Sequence, residues 1–293
     1  MVELNPWAEL YAPKIKDAAI CVMGVPFDGA VSCGKGAALA PEMIRSLSRY
    51  LPPYTSYGDL ITNKIFDAGD VPINLDWAKY YEQVEKEASK LLDSDKFCLF
   101  LGGDHSVTIP LHNAFFKKFK GKKTGVIHFD SHLDLCDEYD GHKWSHACTQ
   151  RRAVEQLGSP GDLALVGIRS WEKDEAEYVK QHPEIFLKRA FDVDEEGAAT
   201  VADQLVEKFK NYDVIYLSLD IDVLDPAFAP GTGTPEAGGL TSRELLKMVK
   251  KLMKELPVGT MDIVEVSPSL DTRNNITSWA ALKIMYEVFY LVK

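Results

Sequence analysis

The sequence is short of several features that would point to a function early. Its 293 residues hold only five cysteines, at positions 21, 33, 98, 136 and 148, an odd number with no CxxC pair. That argues against a disulfide framework and against a four-thiolate zinc site. No apolar run approaches the ~18 residues of a membrane span. The opening MVELNPWAELYAPKIKD carries charges and two prolines where a secretion signal needs an apolar stretch. A reduced, cytoplasmic protein is the expectation, with no membrane partner. Basic excess is missing as well: 33 Lys+Arg stand against 44 Asp+Glu, a formal net charge of −11. Phosphates want a basic stripe, so no nucleic-acid partner is expected. A cationic small molecule suits the acidic balance. Gly34-Lys35-Gly36 lacks the GxxxxGK[ST] frame of a phosphate loop, which argues against nucleotide binding. There is no repeat, low-complexity tract or linker.

What is present is an ordinary globular composition, 46% hydrophobic and 26% charged, on a chain long enough to bury a large core. Nearly continuous apolar runs fall at 18–23, 97–101, 124–129, 163–166, 214–219 and 260–266, as expected of strands covered on both faces. Amphipathic stretches at 76–92, 107–119, 200–209, 242–256 and 276–292 alternate with them and read as helices. Thr241 or Ser242 would cap the fourth of these, with Glu244 in its first turn. Strand–helix alternation predicts right-handed βαβ units and a mostly parallel sheet in one α/β/α domain over 1–293.

Ligands of such sheets bind beyond the carboxyl ends of the strands. Four apolar runs deliver acids or imidazoles there: Gly102-Gly103-Asp104-His105-Ser106, Asp130-Ser131-His132-Leu133-Asp134, Asp220-Ile221-Asp222, and Asp262-Ile263-Val264-Glu265. If 130–134 stays extended, period-two spacing points its two acids and its imidazole to one side. Packing those groups together costs several kcal/mol unless a cation offsets it. A polar loop at a strand end is the alternative reading. Four aspartates and two histidines are too many for one ion and would suit two divalent cations; an oxygen-rich, thiolate-free set favours Mn²⁺ over structural zinc. Gly24-Val25-Pro26-Phe27-Asp28 reads as a turn, and Tyr80, Tyr81 and Trp171 as packing or subunit-contact residues. Arg151 and Arg152 read as a neighbour contact or plain surface charge.

Taken in order, GGDHS (102–106), the DxHxD of 130–134, SLDIDVLDPAFAPGTGTPEAGGL (218–240) and DIVEVSPSLD (262–271) resemble the ureohydrolase family of arginases, agmatinases and their relatives. The likeness covers nearly the whole chain. It implies a three-layer arginase-like fold with an eight-stranded parallel sheet, a trimer or hexamer, and two Mn²⁺ per subunit. It implies His105, Asp130, Asp134 and Asp220 as ligands of one manganese, and Asp130, His132, Asp220 and Asp222 as ligands of the other. Hydroxide held between the metals would attack the guanidinium carbon, with Asp134 orienting it. Glu265 matches the glutamate that grips the guanidinium, and His146 the histidine that shuttles protons, with His142 as its competitor. Ala147 stands where many relatives have Gly. Ser131 stands where Ala is usual and, being small, is expected to leave the ligands undisturbed.

Arginine-specific relatives carry an Asn, two residues beyond DxHxD, for the substrate's carboxylate; here that position is Cys136. The acidic run that follows, Asp137-Glu138-Tyr139-Asp140, would favour an ammonium tail, with Asp137 as its partner, although a solvated surface turn fits it nearly as well. The resemblance therefore implies hydrolysis of agmatine to putrescine and urea, a step of polyamine biosynthesis. The alternatives are arginase or another guanidino-compound hydrolase, acting on guanidinobutyrate or guanidine, and a non-catalytic metal-binding regulator of the same fold.

Overall fold

A computed structural model describes residues 5–293; residues 1–4 of the expected 1–293 domain lie outside the described ones. In chain order the elements are β1 (Ile20–Gly24), α1 (Ala40–Ser48), β2 (Ile65–Asp70), α2 (Trp77–Leu92), β3 (Phe97–Leu101) and α3 (Thr108–Lys118). Then come β4 (Thr124–Phe129), α4 (Thr149–Val154), β5 (Leu163–Ile168), α5 (Lys173–Gln181), β6 (Phe186–Arg189) and α6 (Ala190–Glu196). The chain finishes with α7 (Ala198–Phe209), β7 (Val214–Asp220), α8 (Ser242–Glu255), β8 (Val258–Val264) and α9 (Ile276–Leu291). The eight strands form one sheet in the order β2-β1-β3-β8-β7-β4-β5-β6, with every pairing parallel.

Strand alternation builds two cores. Ile20, Val22, Leu99, Leu101, Ile127 and Phe129 face one side and pack under α1, α7, α8 and α9. Cys21, Met23, Cys98, Phe100 and Val126 face the other side, under α2, α3 and α4. Successive residues of a strand point to opposite faces, so strands buried on both sides must be apolar throughout. That is why β1, β3, β4, β5, β7 and β8 were legible as apolar runs. Edge strands β2 (IFDAGD) and β6 (FLKR) were not, because each is covered on less of its surface and carries charges. Short helices α1, α4, α5 and α6 were missed for the same want of a long apolar stripe. Asp76 caps α2 by accepting the Lys79 N–H. At α8 the cap is Thr241, which exchanges hydrogen bonds with Glu244, and Ser242 is the first helical residue. No described helix is long and apolar enough to cross a membrane.

The chain runs directly from β3 to β4, leaving a gap that β8 and β7 later fill. The four central strands, β3-β8-β7-β4, are therefore the four whose carboxyl ends carry the acids and imidazoles.

Candidate active site

Close backbone packing assembles the deep end. A Cβ on Gly103 would run into the carbonyl oxygen of Phe27. Only glycine lets the loop after β3 approach that carbonyl, which accepts the Asp104 N–H at 2.7 Å. The segment 24–28 thus does more than turn the chain. The Gly103 carbonyl in turn accepts the Glu265 N–H at 2.9 Å. His105 then donates its own N–H to Glu265 Oε1 at 2.8 Å. Glu265 and Asp134 both adopt left-handed φ, +60° and +54°. That is strained backbone for a residue with a side chain, at a cost of order 1–3 kcal/mol each.

His105 Nδ1 lies 3.0 Å from Asp130 Oδ2 and 3.1 Å from both Asp134 Oδ2 and Asp220 Oδ2. His132 Nδ1 lies 3.3 Å from Asp130 Oδ1 and 3.1 Å from Asp222 Oδ2. All six expected ligands meet, with Asp130 shared between the two groups. The route differs from the expected one. The chain leaves β4 at Phe129 and turns through 130–134 instead of staying extended, and the left-handed Asp134 brings the third side chain round. Asp220–Asp222 likewise turns, Asp220 accepting the Asp222 N–H at 2.8 Å.

These atoms fit a cation. His105 Nδ1, Asp130 Oδ2 and Asp134 Oδ2 are buried with no hydrogen-bond partner, although they lie about one hydrogen-bond length apart. Lone pairs aimed at a common centre without donors are costly unless a positive ion sits among them. The electrostatics agree. Burial and then Asp130 push the Asp134 carboxyl well above its ordinary range; burial, then Asp222 and Asp130, do the same to Asp220. Asp130 is held well below its range, against burial, by His128, His105 and His132. Asp130, His132 and Asp222 form one geometrically sound metal triad, and His105, His128 and Asp130 another.

His128 was missed in the sequence. Its Nδ1 sits 2.9 Å from Gln150 Nε2 and its Nε2 3.1 Å from Asp130 Oδ2. With the Gln150 amide donating, Nε2 carries the proton and donates to the His132 carbonyl at 3.3 Å, so His128 braces the loop that holds the ligands. Ser218 was missed too, and Asp262, noted among the acids of the last strand, was given no role. His105 Nε2 lies 2.9 Å from Ser218 Oγ. That hydroxyl donates to Asp262 Oδ1 at 2.9 Å, while Asp262 Oδ2 accepts from Thr108 and Tyr216, both at 2.7 Å. This fixes the Nε2–H tautomer and leaves Nδ1 free to ligate. The signal was available: Ser218 and Asp262 are polar residues inside otherwise apolar strands. Ser131 is less neutral than expected, since its Oγ lies 3.0 Å from His132 Nδ1.

Above the ligands lies a cavity of about 120 Å³, lined by buried His105, Asp134, Asp220, Glu265 and Glu175, by half-buried His132, His146 and Tyr139, and by exposed Trp171 and Glu172. His146 Nδ1 is 3.6 Å from Glu265 Oε1. Burial opposes its charge, but Glu265, with Asp134 and Asp104 beyond, outweighs burial and raises the imidazole to about 9. His142 lies outside this lining, in a hairpin with Tyr139 and beside the Trp77 ring at 5.2 Å. Asp137, expected at the substrate's tail, does not reach the cavity. It is bound by Arg152 at 2.7 Å, with Lys143 Nζ at 3.7 Å. Arg152 is accordingly a buried partner of Asp137 and not surface charge. Cys136 is buried off the cavity, its N–H donating to the Ala147 carbonyl. Trp171, expected in packing, lines the cavity instead.

The model of the arginase family matches residues 18–290. An agmatinase from Bacillus cereus is 38% identical over 280 residues, spanning 94% of this chain and 92% of the relative. The crystal structure of an agmatine ureohydrolase of Thermoplasma volcanium superposes with a TM-score of 0.88 at 31% identity, covering 99% of this chain and 95% of that one. A proclavaminate amidino hydrolase from Streptomyces clavuligerus also superposes at 0.88, with 32% identity over 99% of this chain and 97% of its own.

Proposed function

The chain belongs to the arginase family, and from that premise we propose that it hydrolyses agmatine to putrescine and urea with two manganese ions per chain. The fold alone does not select this substrate. One observation carries the choice. The cavity is lined by a buried carboxylate, Glu265, and an exposed one, Glu172, with no Lys or Arg among its lining residues. A substrate carboxylate would find no cationic partner there, which disfavours arginine and 4-guanidinobutyrate. A molecule cationic at both ends meets complementary charge at both.

His105, Asp130, Asp134 and Asp220 would hold one ion, and Asp130, His132, Asp220 and Asp222 the other. Such ions lower the pKa of water towards neutral and stabilise the negative charge that develops on attack. The chain's own groups do the rest. Glu265 accepts from the planar guanidinium and holds its carbon above the ligand cluster. Its orientation is set by the His105 N–H, so the guanidinium grip and the metal cluster share one loop. Asp134 takes the proton from the attacking water. His146, beside Glu265, supplies a proton to the leaving nitrogen; the C–N bond breaks, the neutral imidazole takes back the proton of the carbon-bound hydroxyl, and urea and the amine part. The reading also takes the protein to be a cytoplasmic homo-oligomer, a trimer or hexamer, working in polyamine synthesis.

Urea release by Mn²⁺-loaded protein tests it, with agmatine, arginine, 4-guanidinobutyrate and guanidine compared at equal concentration. Urea chiefly from agmatine is expected. Urea chiefly from another member of the set overturns the substrate, and none from any overturns the activity.

A further inference from the structure

The acid that selects the substrate's tail is not the one the acidic run suggested. Five acids follow or flank the site loop, and three are placed elsewhere: Asp137 is spent on Arg152, while Glu138 and Asp140 do not line the cavity. Glu175 does line it but is buried and committed, accepting the Leu135 N–H at 2.7 Å and the Glu172 N–H at 3.0 Å. Those two bonds fasten the start of α5 to the site loop and so fix where Glu172 stands. Glu172 itself is exposed, lines the cavity and enters no ion pair among the described residues.

The wall between the two ends is continuous. Glu265 faces His146 at 3.6 Å. The His146 ring meets Tyr139 edge-on, with centroids 6.3 Å apart. Tyr139 and Trp171, the latter next in the chain to Glu172, line the same cavity. We infer that Glu172 is the specificity-determining residue of this enzyme: its carboxylate receives the substrate's terminal ammonium, which Tyr139 and Trp171 flank with their rings. Aromatic faces attract ammonium groups and cover methylenes, and the carboxylate supplies the directional partner. The inference rests on the agmatine reading above and names the residue that would enforce it.

The test compares agmatine with pentylguanidine, in which a methyl replaces the terminal ammonium at the same length. Wild type, Glu172→Gln, Glu172→Arg and Asp137→Asn are assayed as Mn²⁺-loaded protein. In wild type, agmatine is preferred; if it yields no urea while pentylguanidine does, the agmatine reading itself fails before any variant is measured. Glu172→Gln lowers the agmatine-to-pentylguanidine ratio of kcat/KM about tenfold, chiefly through the agmatine KM, as one lost charged contact predicts. Glu172→Arg lowers it further and raises the relative rate on 4-guanidinobutyrate. Asp137→Asn leaves the ratio within about twofold. If both substrates fall together in Glu172→Gln, or Asp137→Asn moves the ratio and Glu172→Gln does not, Glu172 is not the tail's partner. Glu172 is exposed at the N-cap of α5, and an unchanged melting temperature verifies that the variants keep their fold.

Discussion

The floor and the mouth of this cavity are built on opposite principles. At the floor, six ligand-type side chains converge from the ends of three strands, β3, β7 and β4. Most of them are buried, and several of their polar atoms are left without protein partners. At the mouth, the acids are exposed or already paired, and the residues that face the cavity come from loops and the first turn of α5. The floor sacrifices stability for a cation; the mouth costs the fold little and can vary freely. A family that holds one chemistry and several substrates is what such a division produces, as the agmatine ureohydrolase and the proclavaminate amidino hydrolase of equal structural similarity illustrate.

The largest effect that would break the comparison is at the floor. Asp220→Asn should abolish binding of at least one metal and lower urea release by about a thousandfold or more, read by metal analysis and assay. The metal-free variant should melt no lower than metal-free wild type, because Asp220 is pressed by burial and by Asp222 and Asp130. A marked loss of metal-free stability would mean that the floor is built for the fold and not for the ion.

A smaller effect is expected one step out. In Asp262→Asn, the amide can donate to Ser218 and turn that hydrogen bond round, favouring the His105 tautomer that cannot ligate. Manganese affinity should fall about 10- to 100-fold, and nitrogen NMR of the metal-free protein should show the proton moving from Nε2 to Nδ1. Unchanged affinity would confine Asp262 to packing.

The smallest effect is electrostatic and belongs to the boundary between floor and mouth. The folded pKa of His146 is raised to about 9, above its ordinary value near 6.5. Its protonation therefore stabilises the metal-free fold fully below about pH 6.5, and that contribution is lost as pH rises through about 9. Metal-free wild type should melt about 3 °C above His146→Gln at pH 6, with the gap closing by pH 10. A gap that grows with pH would show that Glu265 and Asp134 do not hold this imidazole charged.

The floor was almost fully legible in the sequence because each ligand follows an apolar run. What was missed there, His128, Ser218 and the role of Asp262, are polar residues inside strands, whose partners are set by tertiary packing, as Ser218 and Asp262 pair across two neighbouring strands. The mouth was misread. Asp137 looked like the tail acid because it follows the ligand loop closely, but sequence distance says nothing of Arg152, whose guanidinium is buried against it. Glu172 was overlooked because the loop after β5, a fully buried strand, carries no ligand motif.

By itself the sequence determined the parallel α/β architecture and the identities of the metal-ligand candidates. Both are written in local patterns, apolar runs and the polar residues that end them. Only the tertiary structure decided that 130–134 turns rather than extends, that His146 and not His142 faces Glu265, and that Glu172 stands at the mouth while Asp137 is withdrawn. Those outcomes depend on which loops share the rim of a sheet whose strand order differs from chain order. No local pattern encodes which charge finds its partner across such a rim.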